Sequence, residues 1–174
     1  MKILIVVDMQ HDFIDGALGS PEARSIVDAV IYKIDKRISE GYKVIYTKDT
    51  HYTDYLETQE GRHLPVVHCI KDTPGWNIPE KLWREGAVVI EKNGFGSWEL
   101  AESLAKEKDI ESIELIGVCT DICVISNALL LKARMPEVPV YVDASCCAGV
   151  TKESHYNALN AMKQCQINII NEQQ

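Results

Sequence analysis

Apolar residues fall along this chain in two rhythms. Short runs with little interruption occupy Lys2 to Val7, Lys43 to Thr47, Ala87 to Ile90, Ile113 to Ile116, Pro139 to Val142 and Ile167 to Ile170. Such runs predict strands buried on both faces, as in a parallel sheet. Between them the period changes. Pro21 to Glu40 carries Ile26, Val27, Val30, Ile31, Ile34 and Ile38 at three- and four-residue spacing, a helical stripe that Gly41 ends. Glu99 to Lys106, Val124 to Arg134 and Lys152 to Gln164 read as further helices. The alternation predicts an α/β protein: a three-layer, doubly wound, Rossmann-like fold around a central six-stranded, mainly parallel sheet, with residues 1–174 as one domain. His51 to Trp76 shows neither rhythm, and an irregular stretch of that length in a compact domain is usually functional.

Composition narrows the function classes. The chain has 174 residues, enough for one full core, with 46% hydrophobic and 25% charged residues. A net charge of −8 argues against nucleic acid or an anionic membrane as partner. The first apolar run is too short for a signal peptide and is closed by Asp8; no later run approaches a membrane span. The six cysteines form no paired CxxC zinc pattern, and we expect them reduced in a cytoplasmic protein.

Candidate chemistry collects where the strands end. Gly117-Val118-Cys119-Thr120-Asp121-Ile122-Cys123-Val124 joins the strand at Ile113 to the following helix, so Cys123 falls in a first helical turn, with Thr120 or Asp121 as the capping residue. Backbone N–H groups and the helix dipole there favour a thiolate. A lone cysteine is more often a small core residue; the other strand ends shift that balance. Asp8, Gln10, Asp12 and Phe13 follow the first strand, Asp49 and His51 the second, and Lys92 the third. An acid, an amine and a thiol therefore share the carboxyl rim, where open α/β sheets bind ligands. Asp49 and His51, two residues apart, and His68 in a later Pro-containing loop supply a carboxylate and two imidazoles, a donor set suited to zinc, iron or manganese.

The ordered pieces Val7-Asp8-Met9-Gln10-His11-Asp12-Phe13, Asp49-Thr50-His51, Pro65-Val66-Val67-His68-Cys69, Glu91-Lys92 and Gly117 to Val124 span nearly the whole chain. In them the sequence resembles the isochorismatase-like cysteine hydrolases, and within these the nicotinamidases. The resemblance implies a catalytic triad of Asp8, Lys92 and Cys123. It implies a cis peptide between Val118 and Cys119 that aims the backbone N–H groups of Cys119 and Cys123 at an oxyanion. It also implies a divalent transition metal, zinc first and then iron or manganese, on Asp49, His51 and His68, facing a substrate pyridine nitrogen. Glu57 and Tyr55 are candidates for a fourth ligand, ahead of His63; no organic cofactor is expected. Phe13, Tyr55 and Trp98 are the expected substrate contacts. A small amide is the expected partner, with neither nucleic acid nor membrane, in a homo-oligomer.

The chain departs from that pattern in two places. Many nicotinamidases carry Trp three residues before the last metal histidine, where this chain has Pro65, and the Trp-His-Pro common near the metal pair is absent from Asp49-Thr50-His51-Tyr52. The aromatic wall must then come from Tyr55, Trp98 or a partner subunit. The expected activity is metal-assisted hydrolysis of nicotinamide to nicotinate and ammonia through a thioester. The alternatives are a metal-free cysteine amidase acting on an N-carbamoyl or ureido compound, and a non-catalytic binding module, which would be expected to have lost the triad. An isochorismatase proper lacks the nucleophilic cysteine, so Cys123 argues against it.

Overall fold

In the computed structural model, which describes residues 1–172, the apolar runs assemble into one sheet. Its strands are β1 (Lys2–Val7), β2 (Lys43–Asp49), β3 (Val88–Lys92), β4 (Ser112–Val118), β5 (Val140–Ala148) and β6 (Asn168–Ile170), in the spatial order 3-2-1-4-5-6. Every pairing is parallel. Parallel neighbours need long crossovers, and helices supply most of them. These are α1 (His11–Ile14), α2 (Pro21–Ser25), α3 (Val27–Ser39), α4 (Gln59–His63), α5 (Trp98–Ala105), α6 (Ile125–Arg134) and α7 (Lys152–Gln164).

Side-chain alternation along β1 sets the layers. Ile3, Ile5 and Val7 pack beneath Leu100 and Leu104 of α5, Leu131 of α6, and Leu159 and Met162 of α7. Leu4 and Val6 point the other way, against Val27, Val30 and Ile34 of α3. The strand order reverses between β1 and β4, which opens a crevice at their carboxyl ends, the usual ligand position in such sheets.

Some elements differ from the sequence expectation. The long helix from Pro21 is two helices: Ser20 caps α2 by accepting the Ala23 N–H, and α3 restarts after the buried Ile26. The apolar period continues through that break, so the stripe hides it. β5 runs well past Val142. Leu115 pairs with Val142 but Gly117 with Cys147, so β5 bulges as it passes β4. In the irregular segment, 3-10 turns at Tyr55–Glu57 and Pro74–Trp76 and the short α4 organise the chain, and His51 bridges to Ile70.

The bulge also carries a buried charge cluster. Lys33 of α3 pairs with Asp143 and, at 3.4 Å, with Glu114, which accepts a 2.7 Å hydrogen bond from Arg37 Nε. Burial alone would raise Asp143. Hydrogen bonds from Lys33, Ser145 and Asn171, with the Lys33 charge, hold its carboxyl below the ordinary value instead. A carboxyl depressed by folding contributes stability above its unfolded pKa, near 3.9, and loses it as pH falls through the folded value. Asp143→Asn should therefore lower the unfolding free energy at pH 7 by about 2–4 kcal/mol, because Lys33 loses a buried partner. Urea titrations from pH 7 to 3 should show the deficit shrinking as the wild-type carboxyl protonates.

Candidate active site

Four strand ends meet at the crevice. β1 delivers Asp8, β2 Asp49, β3 Lys92, and β4 runs into the turn that carries Cys123. Close approach of β1 and β4 depends on Gly117, whose φ is +122°; a Cβ there would lie 2.1 Å from the Val7 carbonyl oxygen. Asp8 leaves β1 with φ +50°, a left-handed conformation that Asp tolerates. Its N–H reaches the Thr47 carbonyl at 3.3 Å and hydroxyl at 3.2 Å.

The structure brings Asp8, Lys92 and Cys123 together, all three buried. Lys92 Nζ lies 2.6 Å from Asp8 Oδ2, 3.4 Å from Cys123 Sγ and 3.4 Å from Asp49 Oδ1, and it donates to the Gly94 carbonyl at 3.0 Å. Asp8 Oδ1 accepts the Thr47 hydroxyl at 2.6 Å, whereas Oδ2 has no aligned hydrogen-bond donor. Burial, reinforced by the Asp49 charge, raises the Asp8 carboxyl despite Lys92. Burial is also the largest force acting against the Lys92 ammonium, but Asp8, Cys123 and Asp49 together keep its pKa above the ordinary value. Burial, then the Asp8 charge, pushes Cys123 well above the ordinary cysteine value, with Lys92 pulling the other way. Burial thus favours the neutral thiol over the thiolate, beside a carboxyl that is itself raised.

The turn that carries Cys123 is wider than a normal helical turn. Thr120–Val124 is π-helical, and the Cys119 carbonyl accepts from both Ile122 and Val124 N–H. The Val118–Cys119 peptide is cis. Neither Thr120 nor Asp121 caps this helix, contrary to expectation. Thr120 Oγ1 lies 2.7 Å from His155 Nδ1 of α7, and Asp121 accepts the Val150 N–H at 3.1 Å. Both side chains tie the turn to the segment after β5.

Beside the triad, Asp49, His51, Glu60 and His68 place one donor atom each within 4.8 Å of one another. Asp49 Oδ2 is 3.0 Å from His51 Nε2 and 3.5 Å from His68 Nε2; Glu60 Oε1 is 3.7 and 3.9 Å from the same nitrogens. His68 Nδ1 lies 2.7 Å from the Val66 carbonyl, a hydrogen bond that makes Nδ1 the donor and leaves Nε2 free to ligate. Burial and the Asp49 charge raise Glu60. Two imidazoles and two crowded carboxylates fit a divalent transition ion, which would relieve that repulsion. The acid grouped with Asp49, His51 and His68 is Glu60, and Glu57 is not part of that group. Thr58 caps α4 by accepting the Gly61 N–H and turns Glu60 inward, while Glu57 stays exposed on the preceding 3-10 turn.

The cluster opens into a cavity of about 860 Å³ lined by His51, Tyr55, Glu60, Phe95 and Ile122. Tyr55 packs edge-on to His51 and His68, and its hydroxyl donates to the Leu64 carbonyl. Phe13 stacks edge-on to His68 at 5.6 Å. Trp98, expected in the pocket, is 66% exposed and lines a separate groove, since Ser97 caps α5 and turns its first residue outward. Phe95 takes the wall position instead. Two polar residues that the sequence places on the rim act as braces. Gln10 grips the Asp49 backbone in both directions, at 2.8 and 2.7 Å, and Asp12 accepts the Cys69 N–H at 2.7 Å, which steadies the His68 loop. Their positions after β1 were the available signal. Thr47 and Asn127 gave none.

Among the described residues, no helix is long and apolar enough to cross a membrane. The chain is 28% identical over 211 residues to the nicotinamidase of Schizosaccharomyces pombe, covering 97% of this chain and 92% of that protein. It is 26% identical to the nicotinamidase/pyrazinamidase of Mycobacterium tuberculosis, covering 98% of each. The crystal structure of Pyrococcus horikoshii pyrazinamidase in complex with zinc superposes with a TM-score of 0.85 at 32% identity, covering 97% of this chain and 98% of that one. The isochorismatase domain pattern matches residues 2–174, and on that match the chain belongs to the isochorismatase family.

Proposed function

We propose that this amidohydrolase converts nicotinamide to nicotinate and ammonia through a thioester on Cys123, beside a divalent transition metal. The observation that carries the reading is Asp49: one oxygen faces Lys92 and the other faces His51 and His68, so a base–thiol pair and a metal-ligand cluster share a carboxylate. Zinc is the first choice of ion, with iron or manganese as alternatives.

The chemistry runs through the chain's own residues. Asp8 Oδ2 takes the Cys123 proton as sulfur attacks the amide carbon, and Lys92 offsets the negative charge that moves between them. The backbone N–H groups of Cys119 and Cys123 receive the developing oxyanion. Asp8 returns the proton to the departing nitrogen, the C–N bond breaks and ammonia leaves. Asp8 then deprotonates a water that attacks the thioester; the C–S bond breaks, the acid departs and the thiol is re-formed. Asp49, His51, Glu60 and His68 would hold the ion, which when bound supplies a Lewis-acid anchor for a ring nitrogen. Tyr55 and Phe95 flank the ring, in place of the Trp missing at Pro65.

Cys123→Ala should abolish ammonia release from nicotinamide, by at least about a thousandfold, while circular dichroism and the thermal midpoint stay near wild type. Retained turnover would remove Cys123 from the mechanism.

Asp8→Asn should also lose about a thousandfold in turnover, but with a second, opposite signature. Asp8 raises the thiol, so its removal lowers the Cys123 pKa and increases the thiolate fraction at pH 7. Iodoacetamide labelling of the Cys123 peptide, followed by mass spectrometry, should be faster in this variant than in wild type. Slower labelling would mean that Asp8 promotes the resting thiolate.

Elemental analysis should find roughly one divalent transition ion per chain. Glu60→Gln should weaken its retention and Glu57→Gln should not. Chelation should chiefly raise KM for nicotinamide and pyrazinamide. A metal-free protein whose activity ignores chelator, and which releases ammonia from N-carbamoyl or ureido compounds instead, would replace this reading with the metal-free amidase and leave the triad in place.

A further inference from the structure

The buried Asn127 of α6 touches both the backbone of Cys123 and the cavity wall. Its Nδ2 donates to the Cys123 carbonyl at 2.8 Å and to the Phe95 carbonyl at 3.2 Å; its Oδ1 accepts the Ser97 N–H at 2.9 Å. Two carbonyls and one N–H must be met in one place. A carboxamide offers two N–H donors and a carbonyl acceptor, whereas a carboxylate offers acceptors only and a hydroxyl one donor.

The loop so held is the one that leaves Lys92. The Gly94 carbonyl takes the Lys92 ammonium, Phe95 forms the cavity wall, and Gly96 lies so close to α6 that a Cβ would meet Leu130 Cδ1 at 2.5 Å. Ser97 then caps α5 by accepting the Leu100 N–H. Asn127 thus links Phe95 to the nucleophile's backbone through a short path of ring, carbonyl, carboxamide and Cys123 carbonyl, beside the second link that Lys92 makes from the Gly94 carbonyl to sulfur.

We propose that Asn127 is a positioning residue that sets the distance between the Phe95 wall and the Cys123 nucleophile, and with it the size of ring the site accepts. The proposal rests on the amidohydrolase reading above, and one arm of its test does not use turnover.

Asn127→Ser separates the two links. A helical serine bonds the carbonyl four residues back, here that of Cys123, but it cannot span to Phe95 and Ser97. This variant should keep kcat within about threefold and raise KM for nicotinamide and pyrazinamide roughly five- to tenfold, the scale of one or two lost hydrogen bonds. Asn127→Asp, which sets carboxylate oxygens against two carbonyls, should lose in kcat as well. Independently of any substrate, hydrogen exchange of the peptides covering residues 93–97 should speed up in Asn127→Ser, while those covering residues 120–124 stay protected. In Asn127→Asp both should speed up.

Unchanged KM and unchanged exchange at residues 93–97 in Asn127→Ser would overturn the proposal. So would a fall in thermal midpoint with KM and kcat both at wild-type values, since that is the mark of a merely structural residue. If Asn127→Asp fails to fold, the serine variant decides alone. If wild-type protein releases no ammonia from either amide, the substrate reading fails, and the exchange contrast still decides whether Asn127 holds the wall.

Discussion

A single ammonium makes this site possible. Two carboxylates and a thiol are buried within a few ångströms of one another, an arrangement that desolvation and like-charge repulsion both oppose. Lys92 Nζ sits among all three, at 2.6 Å from Asp8 and 3.4 Å from Asp49 and Cys123. It arrives at the end of β3, an edge strand whose middle residues are half exposed, yet its own side chain is buried. The cation is thus carried inward from the least buried part of the sheet. Around it the charges divide the labour: Asp8 is raised and able to accept a proton, while Asp49, hydrogen-bonded by two histidines, is held well below the ordinary carboxylate range even though its burial pushes the other way. Two aspartates on neighbouring strands come to differ in proton affinity because of what stands beside each.

The layered fold was legible because its signal is hydrophobic and periodic. Runs buried on both faces and stripes at helical spacing report the core directly, and they name the four strand ends that supply Asp8, Asp49, Lys92 and the Cys123 turn. What was not legible depends on polar groups acting across the chain. β5 seemed to end at Val142 because Asp143 breaks the apolar run, but that carboxylate is satisfied by Lys33 from another layer. The helix from Pro21 seemed continuous because Ile26 keeps the apolar period through the break.

The same division runs through the site. Asp49, His51 and His68 announce themselves by chemistry and spacing, whereas Glu60 joins them because it lies in the short α4 that the Thr58 cap starts, with Glu57 left on the 3-10 turn before it. Trp98 invited a pocket role by its size, yet Ser97 starts α5 one residue earlier and sends the indole outward. Thr47, Gln10 and Asn127 are ordinary polar residues in sequence. They matter because each reaches a specific buried backbone or carboxylate partner, which only the folded arrangement reveals.

Gly117 has one further consequence, for the way such a site tolerates change. It bears no side chain and lies six residues before Cys123 in the chain. Yet any substituent at that position must wedge apart the strand that ends in the base and the strand that leads to the nucleophile, because its Cβ would fall on the Val7 carbonyl. A screen of random variants scored only by activity would rank this glycine alongside the triad and would mislabel it as reactive. The permitted alphabet at a position can shrink to one letter through geometry alone, even at a residue with no side chain.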